Sequence, residues 1–147
     1  MEVCDAISKR ATCDRGRSGC VIAKDNQLLV TGYVGAPAGL PHCDDVGHQF
    51  KKMLHENDSV TTHCVRTVHA EQNAICQAAY HGTRLAGATI YVTISPCLTC
   101  AKLIINAGIR EVVYGGDYAF TAQTEALLKE AGVTCRRFVK GKQETHS

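Results

Sequence analysis

At 147 residues, with 16 Lys and Arg against 14 Asp and Glu and a formal net charge of +2, the chain has the size of one domain and lacks the charge excess of a protein that coats polyanions. No Lys or Arg run marks a nucleic-acid or anionic-membrane footprint, and no apolar run reaches the roughly 18 residues of a spanning helix. Glu2 and Asp5 stand where a secretory signal would be basic, so the expectation is a cytoplasmic protein whose nine cysteines, an odd number, serve as metal ligands, catalytic groups or small core residues rather than disulfides.

In chain order, MEVCDAISKR places Val3, Ala6 and Ile7 at helical spacing. GCVIAKDNQLLVTGY holds two short apolar runs either side of Asp25-Asn26, which predicts a hairpin. From Val34 to Val68 periodicity fades while His and Cys accumulate, as in a loop-rich insertion organised by something other than an apolar core. TVHAEQNAICQAAYHG, with Ala70, Asn73, Ala74 and Gln77 on one face, predicts a helix ending at Gly82. GATIYVTIS reads as a buried strand, CLTCAKLIINAG as a helix closing at Gly108, IREVVYGG as a strand, TAQTEALLKEAG as a helix closing at Gly132, and VTCRRFV as a last strand. Strands separated by helices imply parallel pairing through right-handed crossovers. The predicted fold is α/β: a three-layer α/β/α sandwich with a five-stranded mixed sheet and one antiparallel hairpin edge, in one domain over residues 1–147.

SPCLTC contains Cys97 and Cys100 at C-x-x-C spacing. Alone, such a pair is a redox dithiol, half of a metal site or two buried thiols. Upstream, TVHAEQNAI sets His69 and Glu71 one residue apart at a predicted helix start. Two helix N-termini at the C-terminal edge of a sheet form a ligand crevice, and their free N–H groups favour thiolates. One imidazole and two thiolates leave the fourth tetrahedral position of Zn2+ open, the pattern of a catalytic site, with Glu71 placed to take a proton from water. The joint pattern H-x-E and P-C-x-x-C is the signature of zinc-dependent nucleobase deaminases.

With these motifs the chain resembles the cytidine deaminase superfamily, and within it the deoxycytidylate (dCMP) deaminase family including the late-competence proteins of bacteria. TGYVGAPAGLPHCDDVGH and HCVRTVHAE carry the narrower likeness, and the resemblance spans roughly residues 6 to 138. It implies the cytidine deaminase-like fold, zinc held by His69, Cys97 and Cys100, and Glu71 as the proton carrier. The implied activity is hydrolytic deamination of dCMP to dUMP with loss of ammonia, supplying dUMP for dTMP synthesis. It also implies a second, structural zinc on Cys13, Cys43, His48 and His63, with His42, His55 and Cys64 close in sequence. Cys4, Cys20, Cys76 and Cys135 read as core residues.

The family's Gly-Tyr-Asn-Gly is Gly-Tyr-Val-Gly at Gly32 to Gly35, so Val34 replaces an amide with a group that neither donates nor accepts. That leaves open the regulation by dCTP and dTTP, with Mg2+ accompanying a triphosphate effector, which the resemblance would otherwise imply; competence-type relatives also carry Val here. Arg15, Arg17 and above all Arg66 are candidate phosphate donors, and Tyr118 is a candidate to stack on the base or close the pocket. A homo-oligomer, with a hexamer as the family's frequent form, and a small nucleotide are the expected partners, with no membrane and no nucleic acid. Rival readings are a deaminase of another cytosine nucleotide or nucleoside (dCTP, cytidine), a tRNA adenosine deaminase, and a non-enzymatic zinc-binding assembly module.

Overall fold

Gly19–Lys24 (β1) and Gln27–Tyr33 (β2) pair antiparallel around Asp25 and Asn26, whose φ values of 52° and 62° both lie in the left-handed region. That is the two-residue turn whose twist matches a hairpin, and Asp and Asn tolerate it because their side chains bond locally. The structure, a computed structural model, describes residues 1–14 and 16–140; Arg15 lies outside the described residues.

The remaining elements are α1 (Glu2–Ser8), α2 (Cys43–Val46), β3 (Phe50–Leu54), β4 (Val60–Cys64), α3 (Ala70–His81), β5 (Thr89–Ile94), α4 (Leu98–Asn106), β6 (Glu111–Gly116), α5 (Thr121–Glu130) and β7 (Thr134–Arg137). Five strands form one mixed sheet in the order β2-β1-β5-β6-β7. β1 runs antiparallel to β2 and β5, while β5, β6 and β7 are parallel. Gly82 and Gly108, with φ of 69° and 79°, end α3 and α4 in the left-handed conformation that glycine adopts without a Cβ penalty.

Two glycines set the layers. A Cβ on Gly32 would meet Ala70 O of α3 at 2.2 Å, whereas one on Gly19 would meet Cys4 O of α1 at 2.4 Å. Gly32 pairs with Cys20, the neighbour of Gly19 in β1, and successive residues of a strand face opposite sides. Hence α1 and α3 lie on opposite faces of the sheet, and α4 and α5 continue the α3 layer, giving the α/β/α sandwich. Ile22, Ile90, Val92 and Val112 face this layer and pack with Ala74, Ile104 and Leu128. Cys4 and Cys20 are buried, as expected, but Cys76 is exposed on the outer side of α3 and Cys135 is only partly covered.

The stretch from Val34 to Val68 differs from a loop-rich insertion: β3 and β4 pair as a separate two-stranded antiparallel hairpin, preceded by the short α2. Every residue of β3 is exposed, so no alternation of buried and exposed side chains announced the strand. Among the described residues, no helix is long and apolar enough to cross a membrane.

Candidate functional site

The loop after β2 and the residue before His69 are tied by a two-way backbone bridge, Val68 N–H to Gly35 O at 2.8 Å and Gly35 N–H to Val68 O at 3.3 Å. With Gly32 letting the start of α3 press on β2, this sets His69 as the N-cap of α3. Its N–H donates to Gln72 Oε1 at 3.0 Å, satisfying a donor at the helix start. Just after β5, Ser95 N–H donates to Gly116 O at 2.7 Å, and Cys97 is the N-cap of α4, its thiol accepting from Cys100 N–H at 3.4 Å. Because α3 and α4 pack side by side, the two caps converge. His69 Nδ1 lies 3.5 Å from Cys97 Sγ and 3.4 Å from Cys100 Sγ. Glu71, 6% exposed, lies with Oε2 at 3.8 Å from Cys100 Sγ.

These separations test the donor set against a metal. Zinc bonds of about 2.3 Å to sulfur and 2.0 Å to nitrogen at a tetrahedral angle separate sulfur and nitrogen by about 3.5 Å. The cluster meets that spacing without rearrangement, and its chemistry of two thiols and one imidazole fits Zn2+. The electrostatics agree. The Cys100 thiol and N–H, with His69, hold the Cys97 thiol down to about 4 against its burial, while hydrogen bonding to Cys97 and burial push Cys100 up. A dication held between the two sulfurs would keep both as thiolates. Hydrogen bonding to Cys97 raises the His69 pKa, and burial raises that of the Glu71 carboxyl.

A second cluster gathers Cys13, Cys43, His48 and Cys64, whose ligand atoms all lie within 4.8 Å of one another. Cys13 Sγ is 3.4 Å from His48 Nδ1, and Cys43 Sγ is 3.5 Å from Cys64 Sγ. His48 Nε2 bonds Asp14 Oδ1 at 2.8 Å, the outer carboxylate that commonly orients a ligating imidazole. Three of the four expected donors are present; the fourth is Cys64, not His63. Adjacent strand residues face opposite ways, and β4 turns Cys64 to the cluster while His63 Nε2 pairs with Thr61 Oγ1 at 2.7 Å. The β-branched run Val60-Thr61-Thr62 was the signal that could have exposed this choice.

Both clusters border one cavity of about 440 Å3, reached by Cys13 and Cys64 from one and by His69, Cys97 and the adjoining Glu71 from the other. Val34 and Tyr118 line it, as do Ser95, Thr61 and Thr67, which had no role assigned from the sequence, and His63, which was expected as a ligand of the second zinc instead. The Tyr118 backbone is held by Thr121, whose Oγ1 accepts from Tyr118 N–H at 2.9 Å and donates to Tyr118 O at 2.6 Å. Arg66 is not among the lining residues; its Nε–H donates to Gly47 O at 3.0 Å, away from the expected phosphate role. Arg17 likewise donates to Ala11 O and pairs with Asp44 at 3.4 Å.

Residues 1–116 match the sequence family described as the cytidine and deoxycytidylate deaminase zinc-binding region. The chain is 41% identical over 128 residues to the ComE operon protein 2 of Bacillus subtilis, covering 87% of this chain and 63% of that protein. It is 36% identical over 140 residues to the deoxycytidylate deaminase of Saccharomyces cerevisiae, covering 94% of this chain and 43% of that one. The chain therefore spans less than two thirds of either relative. Among solved structures, it resembles the dCMP deaminase of the cyanophage S-TIM5 in complex with dCMP and dUMP, with a TM-score of 0.75 and 27% identity over 93% of this chain and 92% of that one. With the zinc-type donor cluster at the predicted helix starts and the family match over most of its length, the chain belongs to the cytidine and deoxycytidylate deaminase zinc-binding family.

Proposed function

We propose that this chain deaminates dCMP hydrolytically, giving dUMP and ammonia. The observation that carries the reading is the buried Glu71 carboxyl, lining the same cavity as His69 and Cys97 and 3.8 Å from Cys100 Sγ. A structural metal site has no use for a buried acid at that place, whereas hydrolysis needs one. The names of the yeast and cyanophage relatives support dCMP as the substrate, and the cavity volume of about 440 Å3 suits a mononucleotide.

His69, Cys97 and Cys100 would hold zinc, which when bound supplies a Lewis acid that makes water nucleophilic at neutral pH. Glu71 accepts one proton from the attacking water and delivers it to N3 of the ring. It then carries the second proton to the departing amine, so that dCMP and water become dUMP and ammonia. Burial strengthens its hold on a proton, which suits a group that must give it back. Val34 gives the base and sugar an apolar wall, and Tyr118 offers an aromatic face. We place a second, closed zinc site on Cys13, Cys43, His48 and Cys64, where it would fasten the segment after α1 to the β3–β4 hairpin. Several copies would assemble, a reading supported by the exposed Phe50, Met53, Leu54 and Val60 on that hairpin.

The test is ammonia release from dCMP, dCTP, cytidine and deoxycytidine, with Glu71→Ala as control. Turnover of dCMP that vanishes in the variant supports the reading; no turnover of any of the four removes it, and a preference for nucleosides removes dCMP as the substrate.

A further inference from the structure

The second cluster is also a joint between two walls of the cavity. Cys13 and Gly16 belong to the segment after α1, Thr61 and Cys64 to β4, and all four line the cavity. Of the three thiols in the cluster, Cys13 and Cys43 are 2% and 5% exposed, whereas Cys64 is partly exposed. Cys64 borders the cavity and Cys43 does not. The cluster therefore pairs one accessible thiol with one sheltered thiol. Their Sγ atoms are 3.5 Å apart, while Cys13 Sγ lies against His48 Nδ1 at 3.4 Å. A disulfide needs about 2.05 Å between the sulfurs, a closure that side-chain movement supplies.

Cys97 borders the same cavity, but charge separates the two sites. Three thiolates against one dication leave the second cluster at −1, and two thiolates leave the cluster on His69 neutral. The Cys97 sulfur also accepts Cys100 N–H, which draws charge from it. The sulfurs of the second cluster are thus the richer in electrons and the better nucleophiles.

We infer that Cys64 is an oxidation site: a peroxide entering the cavity joins it to Cys43 as a disulfide, opens the second metal site and unclasps the cavity wall. The Cys64 thiolate attacks one peroxide oxygen, giving a sulfenic acid and hydroxide. The Cys43 thiolate then attacks the Cys64 sulfur and expels a second hydroxide. Two thiolates and one hydrogen peroxide become one disulfide and two hydroxides, with two electrons passing from sulfur to oxygen. Disulfide sulfurs are uncharged, so Cys13 and His48 remain as half of a closed tetrahedral set. β4 stays fastened to α2 but no longer to the segment after α1. A dithiol reductant together with zinc reverses the change. The inference rests on the proposed second zinc site, and its nucleotide readouts rest on the dCMP reading.

The experiment treats the wild type, carrying about two zincs per chain, with hydrogen peroxide. Zinc release is followed with a chelating dye, and free thiols are alkylated before peptide mass mapping. About one zinc should leave as a Cys43–Cys64 disulfide forms. KM for dCMP should rise about 10-fold, since a displacement of about 1 Å around a site costs up to about 100-fold. Saturating dUMP, by filling the cavity, should slow release and disulfide formation together, and dithiothreitol with zinc should restore KM. Cys64→Ser should lose no further zinc to peroxide. Zinc retained under peroxide, a Cys97–Cys100 disulfide or one through Cys13 forming first, or release indifferent to bound dUMP overturns the inference and leaves dCMP deamination standing. A wild type that holds a single zinc also overturns it. Failure of dUMP to bind by calorimetry instead removes the dCMP reading, and the zinc and disulfide readouts still decide the inference.

Discussion

Cys64 and His63 are neighbours in β4 that serve different places: Cys64 Sγ sits 3.5 Å from Cys43 Sγ in the second cluster, while His63 turns to Thr61 and lines the cavity. The pleat of a strand permits only one of two consecutive side chains to face the cluster. Cys64→Ser is therefore expected to lower bound zinc from about two per chain to about one, and His63→Ala to leave both, since the second site has four ligands of which only Cys64 is touched. Elemental analysis of the purified variants checks this; equal zinc in the two would refute the assignment.

Asp14 Oδ1 accepts from His48 Nε2 at 2.8 Å and holds the ring with Nδ1 toward Cys13. Outer partners of this kind contribute about 10- to 100-fold in metal affinity. Asp14→Ala should weaken the second site by that factor and leave the site on His69 unchanged. A chelator titration monitored by zinc release should resolve one weakened class of ion, and two unchanged classes would contradict the prediction.

Gly32 lets α3 approach β2 so closely that an added Cβ would lie 2.2 Å from Ala70 O and 2.7 Å from Ala74 N, both backbone atoms. Backbone cannot yield as a flexible side chain can, so Gly32→Ala should cost about 1–3 kcal/mol or more. It should also displace His69 and Glu71, which flank Ala70, and so lower activity in the fraction that remains folded. Urea unfolding and kcat measured on the same preparation test both effects; a variant with wild-type stability would mean that α3 is not pressed on β2 here.

Glu71 is buried at a cost that function would justify. Glu71→Gln should reduce turnover of dCMP by about 10²- to 10⁴-fold, retain zinc, and keep or raise Tm, because an uncharged amide escapes the desolvation that raises the carboxyl pKa. Loss of zinc together with activity would instead assign Glu71 to the metal.

Tyr114, buried on β6, donates its hydroxyl to Glu125 Oε1 on α5, and that bond, with burial, pushes its pKa up to about 12. An unfolded tyrosine titrates near about 10. The folded pKa is the higher one, so this contribution to stability is complete below pH 10 and is lost as pH rises toward 12. Tyr114→Phe lacks it at every pH and should show a flatter decline between pH 9 and pH 11. Denaturant midpoints at those two values report the slope, and parallel declines would rule the bond out as the cause.

The alternation of helices and strands from residue 70 onward was readable because each element has its own period and each helix ends at a glycine, and alternation of that kind leaves little choice but parallel pairing. The convergence of His69 with Cys97 and Cys100 was readable from the joint motif, each half of which begins a helix, whereas the Gly35–Val68 bridge and the side-by-side packing of α3 and α4 bring the two helix starts together. The chain by itself thus determined its layers, the place of its crevice and the three donors gathered there.

Only the tertiary structure decided the rest. The β3–β4 hairpin is exposed along all of β3, so it owes its form to pairing and to the donors at its end, not to a buried stripe that composition could reveal. Whether His63 or Cys64 joins the second cluster turns on the side of one strand, Arg66 is withdrawn by a carbonyl 19 residues away, and His55 meets Phe120 across the fold. Each of these is a contact between segments distant in sequence, and such contacts follow from how the packed elements orient side chains, which local pattern does not encode.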